Sequence, residues 1–189
     1  MGNVEQYEDF WRALKLTSPV PVTLEKIDGS AHGYYDLAEK RIAIDDGMSE
    51  LQTIKTAIHE MAHAKLHDID LNAPEQAERP DRSTREVQAE SVAYTVCQHF
   101  GLDTSDYSFG YVAGWSSGRD IKELKASLET IRTAASDLIS EIEGHFAELQ
   151  AQHTAKQEQA AAQDVPENTF SIYQLKDGDA TRDLRFEPL

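Results

Sequence analysis

The sequence predicts an α+β fold: a small antiparallel sheet packed on a H-E-x-x-H helix and on a second helix bearing glutamates, followed by a long amphipathic helix. Three observations predict it. Residues 19–27 and 41–45 alternate apolar and polar side chains, as half-buried strands do. Residues 49–67 and 84–100 carry apolar residues at helical spacing. From about residue 120 to 150, apolar residues recur three and four apart with few breaks.

Taken in order, residues 7–16 read as a short helix with Phe10, Trp11 and Leu14 as core contacts. The two strands follow, separated by the Gly-rich run Asp28-Gly29-Ser30-Ala31-His32-Gly33 and by Glu39-Lys40. Strand 41–45, just ahead of the next helix, is expected to line a cleft where an extended peptide could add as a further strand. Ser49-Glu50-Leu51-Gln52 reads as a capping box: Ser49 serves the N3 amide and Gln52 reaches back. Leu51, Ile54, Ile58, Met61 and the stem of Lys65 then repeat along an amphipathic helix to about His67.

That helix carries His59-Glu60-Met61-Ala62-His63. Residues four apart on a helix differ by about 40° in direction, so both imidazoles can hold one zinc ion. Glu60 projects beside them, where it can take a proton from a zinc-activated water. A third ligand must come from elsewhere. A histidine ten residues after His59 is one solution, but Ile69 stands there. His67 has turned by about 80° from His59 and is expected to end the helix, on its terminal carbonyls.

After a polar, Pro-bearing loop the second helix places Ala89, Val92, Ala93, Val96 and Phe100 on one side and stops at Gly101. Glu86 and Glu90 share a stripe beside the small Ala89 and Ala93, which let two helices approach. One carboxylate would ligate the metal and the other would orient a ligand histidine. Glu86 is assigned the first role and Glu90 the second. Ser83-Thr84-Arg85-Glu86 also fits a capping box, which would give Glu86 an ordinary structural purpose.

With both helices in view, the sequence resembles the ImmA/IrrE-like zinc metallopeptidases, a gluzincin-like group with a zincin-like fold. Their pattern is HExxH followed by E-x-x-A-[N/D]-x-F-A, matched here by Glu86-Val87-Gln88-Ala89-Glu90-Ser91-Val92-Ala93. Glu90 replaces the usual Asn or Asp, and Val92 the usual Phe. The resemblance implies a metallopeptidase with its ligand glutamate at Glu86. The stretch from about residue 18 to 115 is also similar to the metallopeptidase domain of ArdC-type antirestriction proteins and of multidomain mobile-element proteins.

Between residues 101 and 118 Gly, Ser, Asp and aromatics abound, and Tyr107 or Tyr111 is a candidate donor to the oxyanion of a tetrahedral intermediate. The apolar stripe Ile121, Leu124, Leu128, Ile131, Ala135, Leu138, Ile142 and Leu149 is expected to pack in its first half. In its second half, weakened by Gly144, it is expected to be exposed or to associate with another helix. The expected domains are thus 1–150 for the metallopeptidase, 151–169 for a disordered Gln/Ala-rich linker, and 170–189 for an incomplete domain start. That last stretch resembles a YodL-like domain.

The formal net charge of −16 on 189 residues argues against direct nucleic-acid binding, which needs clustered cations. The lone Cys97 cannot form an internal disulfide and reads as a small buried hydrophobe. No signal-like or membrane-length apolar run occurs, so a cytoplasmic chain without membrane contact is expected. The enzyme reading is a zinc metallopeptidase acting on a protein or peptide, such as a repressor or restriction protein. Its rivals are an acidic, non-catalytic antirestriction module that presents DNA-like charge, and a purely structural metal.

Overall fold

The computed structural model describes residues 6–73, 79–104 and 121–163. Its elements run α1 (Tyr7–Thr17), β1 (Val22–Glu25), β2 (Gly33–Asp36), β3 (Arg41–Asp45), α2 (Glu50–Leu66), α3 (Arg82–His99) and α4 (Ile121–Gln163). The α2 helix packs on α3 and on β2 and β3, while α1 and α3 pack along α4.

The sheet is mixed, in the order β1-β3-β2. Residues 19–27 and 41–45 were expected to pair antiparallel. Instead β1 runs parallel to β3, with Val22 opposite Ile42, and β2 pairs antiparallel, with Tyr34 opposite Ala43. The chain between them is long enough for a parallel return, and it spends part of that length on a strand of its own. Central β3 buries Ile42, Ala43 and Ile44 completely. With neighbours on both sides it has no room for an added strand, so among the described residues the free edge beside α2 belongs to β2 and not, as expected, to residues 41–45.

Ser49 caps α2, its side chain accepting from the Gln52 amide at 3.3 Å. Gln52 does not reach back; it donates to Thr56 Oγ1 instead. Lys65, expected to pack its stem, is exposed and pairs with Glu141 and Asp137 of α4. Asp81 caps α3, accepting from the Thr84 amide at 2.9 Å. The Ser83–Glu86 box is therefore unused, and Glu86 stands within the helix without a capping duty. Ala89 and Ala93 are fully buried, as a close approach of α2 and α3 requires.

The long helix packs from Ile131 onward, so its start is exposed and the half expected to be exposed or to associate with another helix is buried. Ile131, Ala134, Ala135, Leu138, Ile142 and Leu149 are buried, whereas Ile121 and Leu128 are 71% and 62% exposed. The reason is α1: Phe10 meets Phe146 and Phe100 edge-on, at 4.9 Å from Phe100, giving the second half a partner layer. Gly144 does not interrupt the helix. Beyond residue 150, where a disordered linker was expected, α4 continues to Gln163. Ala, Gln, Glu and Lys are strong helix formers, and extending an existing helix carries no nucleation cost. The YodL-like stretch lies outside the described residues.

Candidate metal and catalytic site

Successive turns of α2 bring His59 and His63 together, their Nε2 atoms 3.1 Å apart. From α3, Glu86 Oε2 lies 3.6 Å from His59 Nε2 and 3.7 Å from His63 Nε2. One ligand atom from each of the three residues lies within 4.8 Å of the others, so the cluster could hold a metal ion. Bonds of about 2.0–2.2 Å to a tetrahedral zinc put its ligand atoms roughly 3.3–3.6 Å apart. The observed separations bracket that spacing, and two imidazoles with one carboxylate are a donor set that zinc accepts.

The opposite nitrogen of each histidine is also held. His59 Nδ1 meets Glu90 Oε2 at 3.2 Å, and Glu90 Oε1 accepts from Lys55 Nζ at 2.7 Å. Both Lys55 and Glu90 are buried, so neither charge stands without its counter-charge. On the other side His63 Nδ1 lies 2.9 Å from His67 Nδ1, and His67 Nε2 lies 2.9 Å from Gln88 Oε1. His67 was expected to serve the carbonyls at the helix end. It occupies the C-cap position, but its ring is buried against His63 instead.

Burial alone would lower the pKa of His59. The carboxylates of Glu86 and Glu90 outweigh it and hold the imidazole up at about 9. The two imidazoles in turn hold Glu86 well below the usual carboxylate range. A place that retains a proton this strongly is electronegative, and a divalent cation answers the same field. Burial pushes Glu60 up, against His59, His63 and the Tyr35 amide, which bonds its carboxylate. A buried glutamate with a raised pKa next to the cluster is suited to moving a proton.

The cluster opens into a cleft of about 380 Å³, walled on one side by Gly33, Tyr34 and Tyr35 of β2. A smaller opening of about 190 Å³ shares Gly33, His59 and Glu60 and continues toward Lys55 and Gln52. Gly33 lets β2 come this near α2: a Cβ there would lie 2.7 Å from Thr56 Cγ2 and 3.0 Å from the Ala43 carbonyl. Tyr107 and Tyr111 lie outside the described residues. The Tyr35 hydroxyl is bound to Asp68 at 2.6 Å.

Tyr35, Lys55, Arg79, Arg82 and Arg85 had no place in the sequence reading. For Lys55 a signal existed: it stands four residues before His59, on the same face of α2. The loop arginines gave none, because nothing local tells which way a loop faces.

Comparison with known proteins now bears on this geometry. Residues 19–97 match the IrrE N-terminal-like domain. The matched segment contains the sheet, α2, and α3 through Cys97, with every residue of the cluster inside it. The family is one of peptidases, which points to a hydrolase. An uncharacterized protein of Bacillus anthracis is 35% identical over 136 residues, covering 69% of this chain and 22% of that protein. The chain thus spans about a fifth of the relative's length. No solved structure matches significantly. Among the described residues no helix is long and apolar enough to cross a membrane.

Proposed function

We propose that the chain is a zinc-dependent endopeptidase. The convergence of His59, His63 and Glu86, with buried Glu60 beside them in a cleft edged by a free strand, carries this reading. His59, His63 and Glu86 would hold the ion, and Glu90 would orient His59 through its Nδ1. When bound, zinc supplies Lewis-acid activation: it makes water a nucleophile near neutral pH and polarises the scissile carbonyl.

The chain's own residues do the rest. An extended substrate adds along the free edge of β2, its main chain pairing with the strand and its scissile bond brought to Glu60. Glu60 accepts the proton of the attacking water and passes it to the departing amine. Tyr107 or Tyr111 would donate to the oxyanion. The match to a peptidase family supports this enzyme over the acidic, non-catalytic module. Cytoplasmic repressor or restriction proteins met by a mobile element, in the manner of ArdC-type proteins, are the substrates to try first.

The test is elemental analysis of zinc-loaded protein beside His59→Ala, followed by cleavage assays with Glu60→Gln. One zinc per chain is expected in the wild type and none in His59→Ala. Glu60→Gln should keep zinc while cleavage falls by about 100-fold or more, because the amide cannot accept a proton. Equal cleavage by Glu60→Gln would overturn the mechanism.

A further inference from the structure

We infer that Arg79, Arg82 and Arg85 form a subsite for a substrate carboxylate, either an Asp or Glu side chain or a free C-terminus. This rests on the peptidase reading of the same cleft. All three arginines line the cleft, and among the described residues its acidic lining residues are Glu60 and Glu86, which the site chemistry uses. The cleft wall beyond the cluster therefore carries three positive charges in a chain of net −16. Arg82 and Arg85 belong to the start of α3, whose first turn holds no acidic residue. Cations there oppose the helix dipole, a penalty that the capping Asp81 carboxylate offsets in part and a bound anion would offset further. Two of the guanidinium groups are anchored by backbone contacts: Arg79 to the His67 carbonyl at 2.8 Å and Arg85 to the Pro80 carbonyl at 2.7 Å. A guanidinium has five donors, so each keeps others for a ligand. Arg79 Nε is buried with no hydrogen-bond partner among the described residues.

The test uses the zinc-loaded full chain and peptides that differ only in Asp, Asn or Lys at positions flanking the cleaved bond. Each is made with a free or an amidated C-terminus, which separates side-chain from terminal carboxylate. Expected is a preference of about tenfold in kcat/KM for the carboxylate, despite the like-charged protein. It should shrink in Arg82→Ala through KM and invert in Arg82→Glu. Cleavage without charge preference would remove the subsite and leave the peptidase standing. If no peptide is cleaved, anisotropy of the same peptides on zinc-loaded Glu60→Gln decides, and charge-independent binding overturns the proposal. Arg82→Ala should melt at or above the wild-type temperature; a clear fall would give Arg82 a structural role and count against the subsite.

We also infer that α4 positions the metal cluster through His67, Gln88 and Ser127. With His63 Nε2 turned to the cluster, its Nδ1 carries the proton and donates to His67 Nδ1. His67 is then protonated on Nε2 and donates to Gln88 Oε1, and Gln88 Nε2 donates to Ser127 Oγ at 3.1 Å. Each link fixes the next, and His67, Gln88 and Ser127 are all buried. Ser127 lies on α4, outside the matched residues 19–97, so this segment extends the site beyond the family match. The experiment is zinc competition against a chromophoric chelator, with the visible spectrum of the cobalt-substituted protein. His67→Phe should weaken zinc about 10–100-fold and shift the cobalt bands. Ser127→Ala should do the same to a smaller extent, and Ser127→Thr should restore both. Unchanged affinity and spectrum in Ser127→Ala would overturn the proposal, even if His67→Phe fails to fold.

Discussion

The two ends of the helical layer bury opposite kinds of residue. Where α2 and α3 meet β2, the buried set includes Lys55, Glu60, His67, Gln88 and Glu90. Where α1 packs on α4, it is Phe10, Trp11, Leu14, Leu138 and Ile142. A buried polar group destabilises unless it is paired, and at the site end the pairs are made: Lys55 with Glu90, Glu90 with His59, His67 with Gln88. The α1–α4 end stabilises mainly by area and close packing, with buried Asp9 matched by Gln150 and His153 of α4. A protein can thus separate the part that holds it together from the part that does chemistry. Truncation at one end should cost fold, and at the other, metal.

The largest effect should come from the carboxylates. Glu86→Ala is expected to weaken zinc by more than about 100-fold, and Glu90→Gln by about 10–100-fold, in a competition titration. The opposite order would exchange their roles. Glu90→Ala is the poorer probe, because it removes this side-chain acceptor of buried Lys55 altogether, whereas Gln keeps one.

At the apolar end Leu138→Ala should lower unfolding free energy by about 2–5 kcal/mol in urea titrations. Zinc affinity of the folded fraction should stay within about threefold, since no link of the site passes through Leu138. A large loss of zinc would show that the two ends are coupled.

Acidity sharpens the comparison further. His59 is raised to about 9, so its protonated form stabilises the metal-free fold fully below its ordinary value near 6.5. That contribution is lost as pH rises through about 9. Glu86 is lowered, so its contribution is present above about 4.5 and lost on acidification. Burial lowers His67 to about 4, so its contribution is lost as pH falls below about 6.5, and metal-free protein should therefore melt highest near pH 6.5 and lower by pH 9. Zinc, which needs neutral His59, should stabilise more as pH rises. Parallel melting curves with and without zinc across pH 5–9 would contradict this. The smallest effect is expected for Lys65→Ala, whose exposed pairs with Glu141 and Asp137 should be worth at most about 0.5 kcal/mol by thermal melts.

Much of the site was legible because it is local. His59, Glu60 and His63 lie on one helix, and their relation follows from 3.6 residues per turn. Glu86 and Glu90 share a stripe on the next helix for the same reason, and Ala89 and Ala93 announced the close contact. His67 was only half legible. Its angle from His59 excluded it from the cluster, but its place four residues after His63 also put it beside that residue's other nitrogen.

What stayed hidden was settled between elements distant in sequence. Alternation identifies a strand but says nothing of its partner, so the parallel pairing of β1 with β3 and the free edge of β2 depended on tertiary assembly. The buried half of α4 was likewise decided by α1, more than a hundred residues earlier in the chain. Helical periodicity by itself brought His59 and His63 into one row with Glu60 beside them, because helix geometry is set within a few residues. Which strand borders the cleft and which long helix backs His63 arose only on folding, because those contacts join separate helices and strands.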